Sequence, residues 1–387
     1  MKILRYAAVF PIALLACSPS TPTSDNSGTE SDPLGRGSLR VAQTVVETDL
    51  ATDATVPALV NPWGLAFNPN GFAWISNQAT GTATVHDSTG ALLRTIDLPR
   101  TPGATEAPKP TGMVFNPVQS DFLGDTFIMV TENGTIIGWQ QSTGAVVRVD
   151  KTQSEAVYKG AAIVQVSQTT TTGCVVDPER LLVANFRAAT VDVFNASYEP
   201  VSVEGGFVDS SIPAGYAPFN IFVQGQRVFV SYALQNEEKE DDVAGRGNGF
   251  VNLFDTEGHF IQRLISRGSL NAPWGMAIAP SGFGQISGRL LVGNFGDGMI
   301  NVYSLDRTTE RGLAVREGVL GVTRSAPLVI DGLWSLVFGP DAGGFSSRSL
   351  YFTAGPGNET HGVFGKLDVK RLHVKKDAGD DSDAGDP

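Results

Sequence analysis

Four oxygen-bearing side chains, Glu132, Asn185, Asn294 and Asp297, are of the types that hold a hard cation. Calcium takes carboxylate and amide oxygens from scattered positions, so it is the metal such a set would serve. The two asparagines stand in matching strings, ANF and GNF, with Asn77 and Asn133 close to the same register. Local turn chemistry is the competing account, because asparagine hydrogen-bonds nearby backbone and tolerates left-handed geometry. A second group is aromatic: Trp63, Phe219, Trp274 and Trp334 each follow a turn marked by Pro or Gly. Flat rings with a few convergent polar groups make a small-ligand pocket, and Lys159, Arg187 and Tyr232 are the polar companions. Packing of one repeat against the next would use the same tryptophans. His361 in GNETHG has Glu359 beside it to orient or polarise its ring. The insert QNEEKEDDVAGRGNG from Gln235 carries Glu240, Asp241 and Asp242, as a lid, a cation-binding loop or a solvated loop.

Other chemistries find no support in the sequence. The histidines at 86, 259, 361 and 373 do not fall into a zinc-ligand spacing. No Gly-Xaa-Ser-Xaa-Gly elbow, phosphate loop or Cys-Xaa-Xaa-Cys pair is present. A formal charge of -12 argues against nucleic acid as a partner, since that affinity comes from clustered Lys and Arg. With two cysteines in the chain no disulfide framework is expected, and Cys174 in TGCVVDP reads as a small core residue.

The elements that must position these residues are strands. The 44 glycines and 22 prolines favour short strands and tight turns. Six segments open alike: NPWGLAFNP from Asn61, KPTGMVFNP from Lys109, YKGAAIVQV from Tyr158, APFNIFVQG from Ala217, APWGMAIAP from Ala272 and GLWSLVFGP from Gly332. A second apolar strand follows each, as in GFAWISN, RLLVANF and RLLVGNF, and then a third with alternating apolar residues, as in TATVHDS and GMINVYSLD. Aligning Trp63, Thr111, Lys159, Phe219, Trp274 and Trp334 gives intervals of 48 to 60 residues, the span of a four-stranded propeller blade. The expected fold class is all-β, a single six-bladed β-propeller. The last unit lacks room for a fourth strand, and SLRVAQTVVETD from Ser38 is predicted to complete it and close the ring. In that geometry the loops entering the first strands and leaving the second share one face, which gathers the residues named above around a channel mouth.

These units resemble NHL-type propeller repeats. More closely, the body from about Val41 to Leu367 resembles an uncharacterised family of exported bacterial propeller proteins, some with a C-terminal sorting signal. The strings that carry this are NPWGLAFNP, VANFRAATVDVF, PAGYAPFNI, LNAPWGMAIAP, LLVGNFGDGMINVY, DGLWSLVFG and YFTAGPGNETHGVFG. The resemblance implies fold and export, and no activity. A calcium ring would place the chain beside six-bladed lactonases such as gluconolactonase and regucalcin, a likeness of architecture only.

At the N-terminus Lys2 and Arg5 precede an apolar run from Tyr6 to Ala16, too short to span a bilayer. Leu14-Leu15-Ala16-Cys17 resembles the bacterial lipobox, which implies lipidation of Cys17 and, with Ser18 next, outer-membrane sorting. The expected organisation is a lipoprotein signal over 1–16, a lipidated Cys and flexible tether over 17–37, the propeller over 38–372 and an acidic disordered tail over 373–387. The function this predicts is a membrane-tethered binding or scaffold module for an unknown small molecule or envelope protein. A divalent-metal-dependent hydrolase or lactonase is the alternative, and a structural envelope protein the weaker one.

Overall fold

Short apolar runs bounded by Gly, Asn and Asp turns leave little room for helix, and nearly all regular structure is strand. The computed structural model describes residues 40–165, 167–170, 173–176, 179–309 and 312–370. The expected signal segment, Cys17, the tether, the acidic tail and the side chain of Cys174 lie outside the described residues. Among those residues no helix is long and apolar enough to cross a membrane.

The strands fall into successive antiparallel units. Unit 1 comprises Pro62–Asn68, Phe72–Asn77, Thr82–His86 and Leu92–Asp97. Unit 2 comprises Pro110–Phe115, Phe127–Thr131, Thr135–Gln140 and Gly144–Asp150. Unit 3 has Tyr158–Val164, Arg180–Asn185 and Thr190–Phe194, with a separate hairpin of Ser167–Thr170 and Gly173–Val176 between its first two strands. A lone bridge from Phe194 to Pro200 stands where the other units place a fourth strand. Unit 4 is Tyr216–Gln224, Arg227–Leu234, Phe250–Phe254 and Phe260–Ser266; unit 5 is Pro273–Ile278, Leu290–Asn294, Ile300–Thr308 and Ala314–Gly321. Unit 6 has Leu333–Phe338, Ser349–Ala354 and Val363–Val369.

Strand Val41–Thr52 supplies the missing fourth position of unit 6. Its residues from Val45 pair antiparallel with Val363–Val369, while Val41 to Thr44 pair parallel with the outer strand of unit 5. One chain end therefore joins the last two units into an eight-stranded sheet.

The first strands of the units contact one another in cyclic order, that of unit 6 returning to that of unit 1. The fold is all-β and propeller-like. In unit 1 burial falls outward across the sheet: the third strand is buried throughout, whereas the fourth, Leu92–Asp97, is almost wholly exposed.

Every first strand carries a register shift at the same place: between Pro62 and Leu65, Pro110 and Met113, Tyr158 and Ala161, Pro218 and Asn220, Pro273 and Met276, and Leu333 and Leu336. A bulge bends its strand and re-aims the side chain it contains. The residues inside these shifts include Trp63, Thr111, Lys159, Phe219, Trp274 and Trp334, the six aligned in the sequence.

Within the bulges the strands close in. A Cβ on Gly64 would stand 2.4 Å from the Thr111 carbonyl oxygen, and one on Gly160 2.1 Å from Asn220 Oδ1. Side chains stitch neighbouring units at this level. Ser335 Oγ donates to the Trp63 carbonyl at 2.7 Å, Asn220 Nδ2 to that of Trp274 at 2.8 Å, and Thr111 Oγ1 to that of Tyr158 at 2.8 Å.

Candidate functional site

The bulges bring four of the predicted aromatic residues into one layer across the ring, joined by Phe186 and Phe295. Trp63 stacks on Trp334 with centroids 3.5 Å apart, and Phe295 stacks on the same Trp334 at 4.0 Å. Trp274 meets both tryptophans edge-on, and Phe219 does the same from the other side. None of the four predicted rings is more than 3% exposed. The expected open aromatic rim is thus a sealed plug, because rings from four units pack against one another and leave no face for a ligand.

Lys159 sits at the bulge position of unit 3, fully buried beside this layer, its Nζ 4.9 Å from the Trp63 centroid and 5.7 Å from that of Phe186. The ammonium pairs tightly with Glu132 Oε1 and lies 3.3 Å from Asp241 Oδ1. Burial pulls the Lys159 pKa down, but the adjacent carboxylates of Glu132 and Asp241 outweigh it and hold it above its ordinary value. The lysine is a fixed cation.

A polar chain runs on from this pair. Glu132 Oε2 accepts from Gln78 Nε2 at 2.7 Å. Asn61 Nδ2 reaches both Gln78 Oε1 (3.1 Å) and Glu359 Oε1 (3.2 Å), while Asn61 Oδ1 accepts from Trp334 Nε1 at 3.0 Å. Asn61 has φ 47°, a left-handed conformation that asparagine tolerates. Five of the six units meet here.

The insert after strand Arg227–Leu234 is tied down as a strap. Gln235 Nε2 donates to the Phe186 carbonyl at 2.6 Å, and Asn236 Oδ1 accepts from the backbone of Glu240 and Asp241. This sets Asp241 and Asp242 against Lys159. Burial pushes the Asp242 carboxyl up to about 7, relieved in part by Lys159 and reinforced by Glu359 and Asp241. Its Oδ2 is buried without a hydrogen-bond partner. Glu359 is likewise raised, chiefly by burial, against the lowering bond from Asn61.

Beside the network opens a cleft of about 790 Å³, lined among others by Gln78, Glu132, Arg187, Glu240, Asp241 and Glu359. Arg187 lies on its rim, paired with Glu240 and 3.7 Å from Glu155.

The remaining predicted residues do not join. Asn185 Nδ2 bonds Asp192 Oδ2 at 3.0 Å and its Oδ1 caps Ala188 N. Asn294 Nδ2 bonds the Ser269 carbonyl and Asp297 Oδ1, and Asp297 also accepts from Met299 N and Asn271 Nδ2. Turn chemistry therefore accounts for Asn185, Asn294 and Asp297, and they do not form a ring with Glu132. Among the described residues no three His, Cys, Asp or Glu side chains are arranged to hold a metal ion. Tyr232 is buried in the core of unit 4 against Val230 and Phe250. His361 turns outward to Asp53 Oδ2 at 3.0 Å, clasping the end of strand Val41–Thr52, and Glu359 faces Asn61 instead of orienting it.

Sequence reasoning missed Asn61 and Gln78. Asn61 opens the repeat marker NPWGLAFNP and Gln78 follows GFAWISN; a polar residue before the Pro of NPWG, where units 3, 4 and 5 have Val157, Ala217 and Ala272, is the signal available.

Fold and site together define an all-β, propeller-like protein whose channel is plugged by aromatic rings beneath a buried charge network. No family model matches the chain. It is 30% identical over 339 residues to uncharacterized protein L690 of Acanthamoeba polyphaga mimivirus, covering 80% of each chain, and belongs to the family of that protein. Uncharacterized protein R648 of the same virus is 29% identical over 332 residues, 81% of this chain and 76% of its own length. These relatives come from a virus, so they lend no support to the bacterial origin and lipoprotein signal read from the N-terminus. Solved structures of similar shape include virginiamycin B lyase from Staphylococcus aureus (TM-score 0.49, 10% identity, 84% of this chain and 99% of that one). Others are an aldose sugar dehydrogenase from Escherichia coli (0.49, 12%, 84% and 100%) and regucalcin from Agrobacterium tumefaciens (0.47, 11%, 86% and 96%).

Proposed function

We propose that this chain is a six-bladed propeller that works as a binding module, taking a small polar cation in the cleft beside Lys159. The observation that carries this reading is the surplus of carboxyls. Glu132, Asp241, Asp242 and Glu359 face one buried ammonium, and Asp242 keeps an unpartnered Oδ2. A cation with several N–H donors, bound against Glu132, Asp241 and Glu359 at the cleft wall, would offset the repulsion that adds to burial in raising Asp242 and Glu359. Isothermal titration with spermidine and arginine amide tests it: binding that weakens tenfold or more in Glu132→Gln supports the site. Heats at the dilution baseline for both probes would sink it.

A hydrolytic reading has one observation of its own, the Asp242 carboxyl pushed up to about 7 next to Asp241 on the cleft wall, the kind of shift acid–base catalysis uses. Turnover of ester or lactone substrates that vanishes in Asp242→Asn would favour it over binding alone.

The anchor is part of the same proposal. The charged start, apolar run and Leu14-Leu15-Ala16-Cys17 support lipid at Cys17 and tethering to a membrane of the cell envelope. Membrane fractionation of Cys17→Ser against the parent chain tests it, and identical fractions would refute the anchor.

A further inference from the structure

We propose that the opposite opening of the channel is a second binding site, for an apolar molecule carrying a single amine. A cavity of about 740 Å³ lies on that side, lined by the first strands of all six units at and beyond the bulges. It shares no lining residue with the cleft beside Lys159. Its volume suits a drug-sized ligand. Val114, Phe115, Ile163, Phe222, Val337 and Phe338 line it while only partly buried, so apolar side chains make up part of its wall.

One edge of this apolar wall is acidic. Glu179 lines the cavity, is 2% exposed, and its Oε2 has no hydrogen-bond partner. Among the described residues its Oε1 receives a long bond from Gln165 Nε2, at 3.4 Å. The neighbouring cation does not serve it: Arg180 is bound to Glu257 at 2.8 Å. Asp121 is also close, accepting the Glu179 backbone N–H at 3.0 Å, and its charge adds to burial in pushing the Glu179 carboxyl up to about 7, against the lowering bond from Gln165. An orphaned buried acceptor is costly, and an amine supplies both the missing donor and the missing positive charge. The apolar body of the same molecule would cover the strand side chains. A carboxylate of equal shape would meet a second negative charge.

Calorimetric titration at pH 8 with 1-adamantylamine and 1-adamantanecarboxylate separates these. The amine should bind and the carboxylate should not. Glu179→Gln should weaken the amine at least tenfold. In the unaltered protein the affinity should rise up to tenfold per pH unit below about 7 and then level, because binding requires the ionised carboxyl. Equal binding of both probes, a flat pH profile, or an unaffected Glu179→Gln variant would each overturn the proposal.

Discussion

The two ends of the channel are built by the same six strands and differ in almost every property that matters for binding. At the end where chains enter the first strands, loops of unequal length deliver Asn61, Gln78, Glu132, Asp241 and Glu359 onto a buried lysine. At the other end the strands themselves line the hollow, and their alternation exposes apolar side chains to it, with Glu179 at the margin. The bulge level divides the two, since rings fill one side of it and backbones approach closely within it. Repetition thus produces the plug and the apolar hollow, and departures from repetition produce the charge network.

The hardest test of this contrast removes the lysine. Lys159→Met should cost about 3–5 kcal/mol in urea unfolding, because Glu132 and Asp241 then face each other with no buried cation. The double variant with Glu132→Gln should recover part of that loss. A cost below about 1 kcal/mol would mean that the rings alone hold this end.

Next in size is the pH dependence of Asp242. Its folded pKa lies above its unfolded one, so the folded state keeps a proton that the unfolded chain loses; stability falls as pH rises from about 4 to about 7 and is flat above. At about 1.4 kcal/mol per pKa unit the effect is a few kcal/mol. Asp242→Asn should therefore gain stability at pH 8 relative to the parent and show a shallower slope between pH 4 and 7 in thermal melts. An unchanged slope would place the titration elsewhere.

Glu179→Gln is the matching change at the apolar end, with the same sign and a smaller expected gain of about 1–2 kcal/mol at pH 8. Combined with Asp242→Asn it should be additive within about 0.5 kcal/mol, because the two groups share no partner. Coupling above that would show that the plug transmits strain between the ends. Arg187→Ala should have the smallest effect, within about 1 kcal/mol, since its ion pairs lie on an open rim.

Much of the architecture was legible because each unit restarts with a recognisable turn and apolar run. The alignment of Trp63, Thr111, Lys159, Phe219, Trp274 and Trp334 picks out the bulge positions without knowledge of any bulge. What the alignment conceals is direction: period-2 reading does not tell a ring facing a ligand from a ring facing another ring, and the tryptophans prove to be the latter. Asn185 and Asn294 stand at equivalent repeat positions and keep their turn roles. Lys159, Glu132 and the Gln235 insert break the repeat and do converge, whereas His361, which also breaks it, is spent on Asp53. Whether a repeat-breaking residue faces its neighbours or the channel depends on loop conformation, which local sequence encodes weakly.

The strand Val41–Thr52 also governs the order in which the molecule can be assembled. It precedes all six units in the chain, yet its antiparallel partner, Val363 to Val369, is the last strand of the sixth. The contact between Trp63 and Trp334 spans nearly as much chain. Closure of such distant pairs is slow, because the intervening loop entropy is lost before the contact is gained. Until Val363–Val369 and Trp334 are in place, Val41–Thr52 keeps an unpaired strand edge and Trp63 lacks its stacking partner, so the two ends of the ring are completed together.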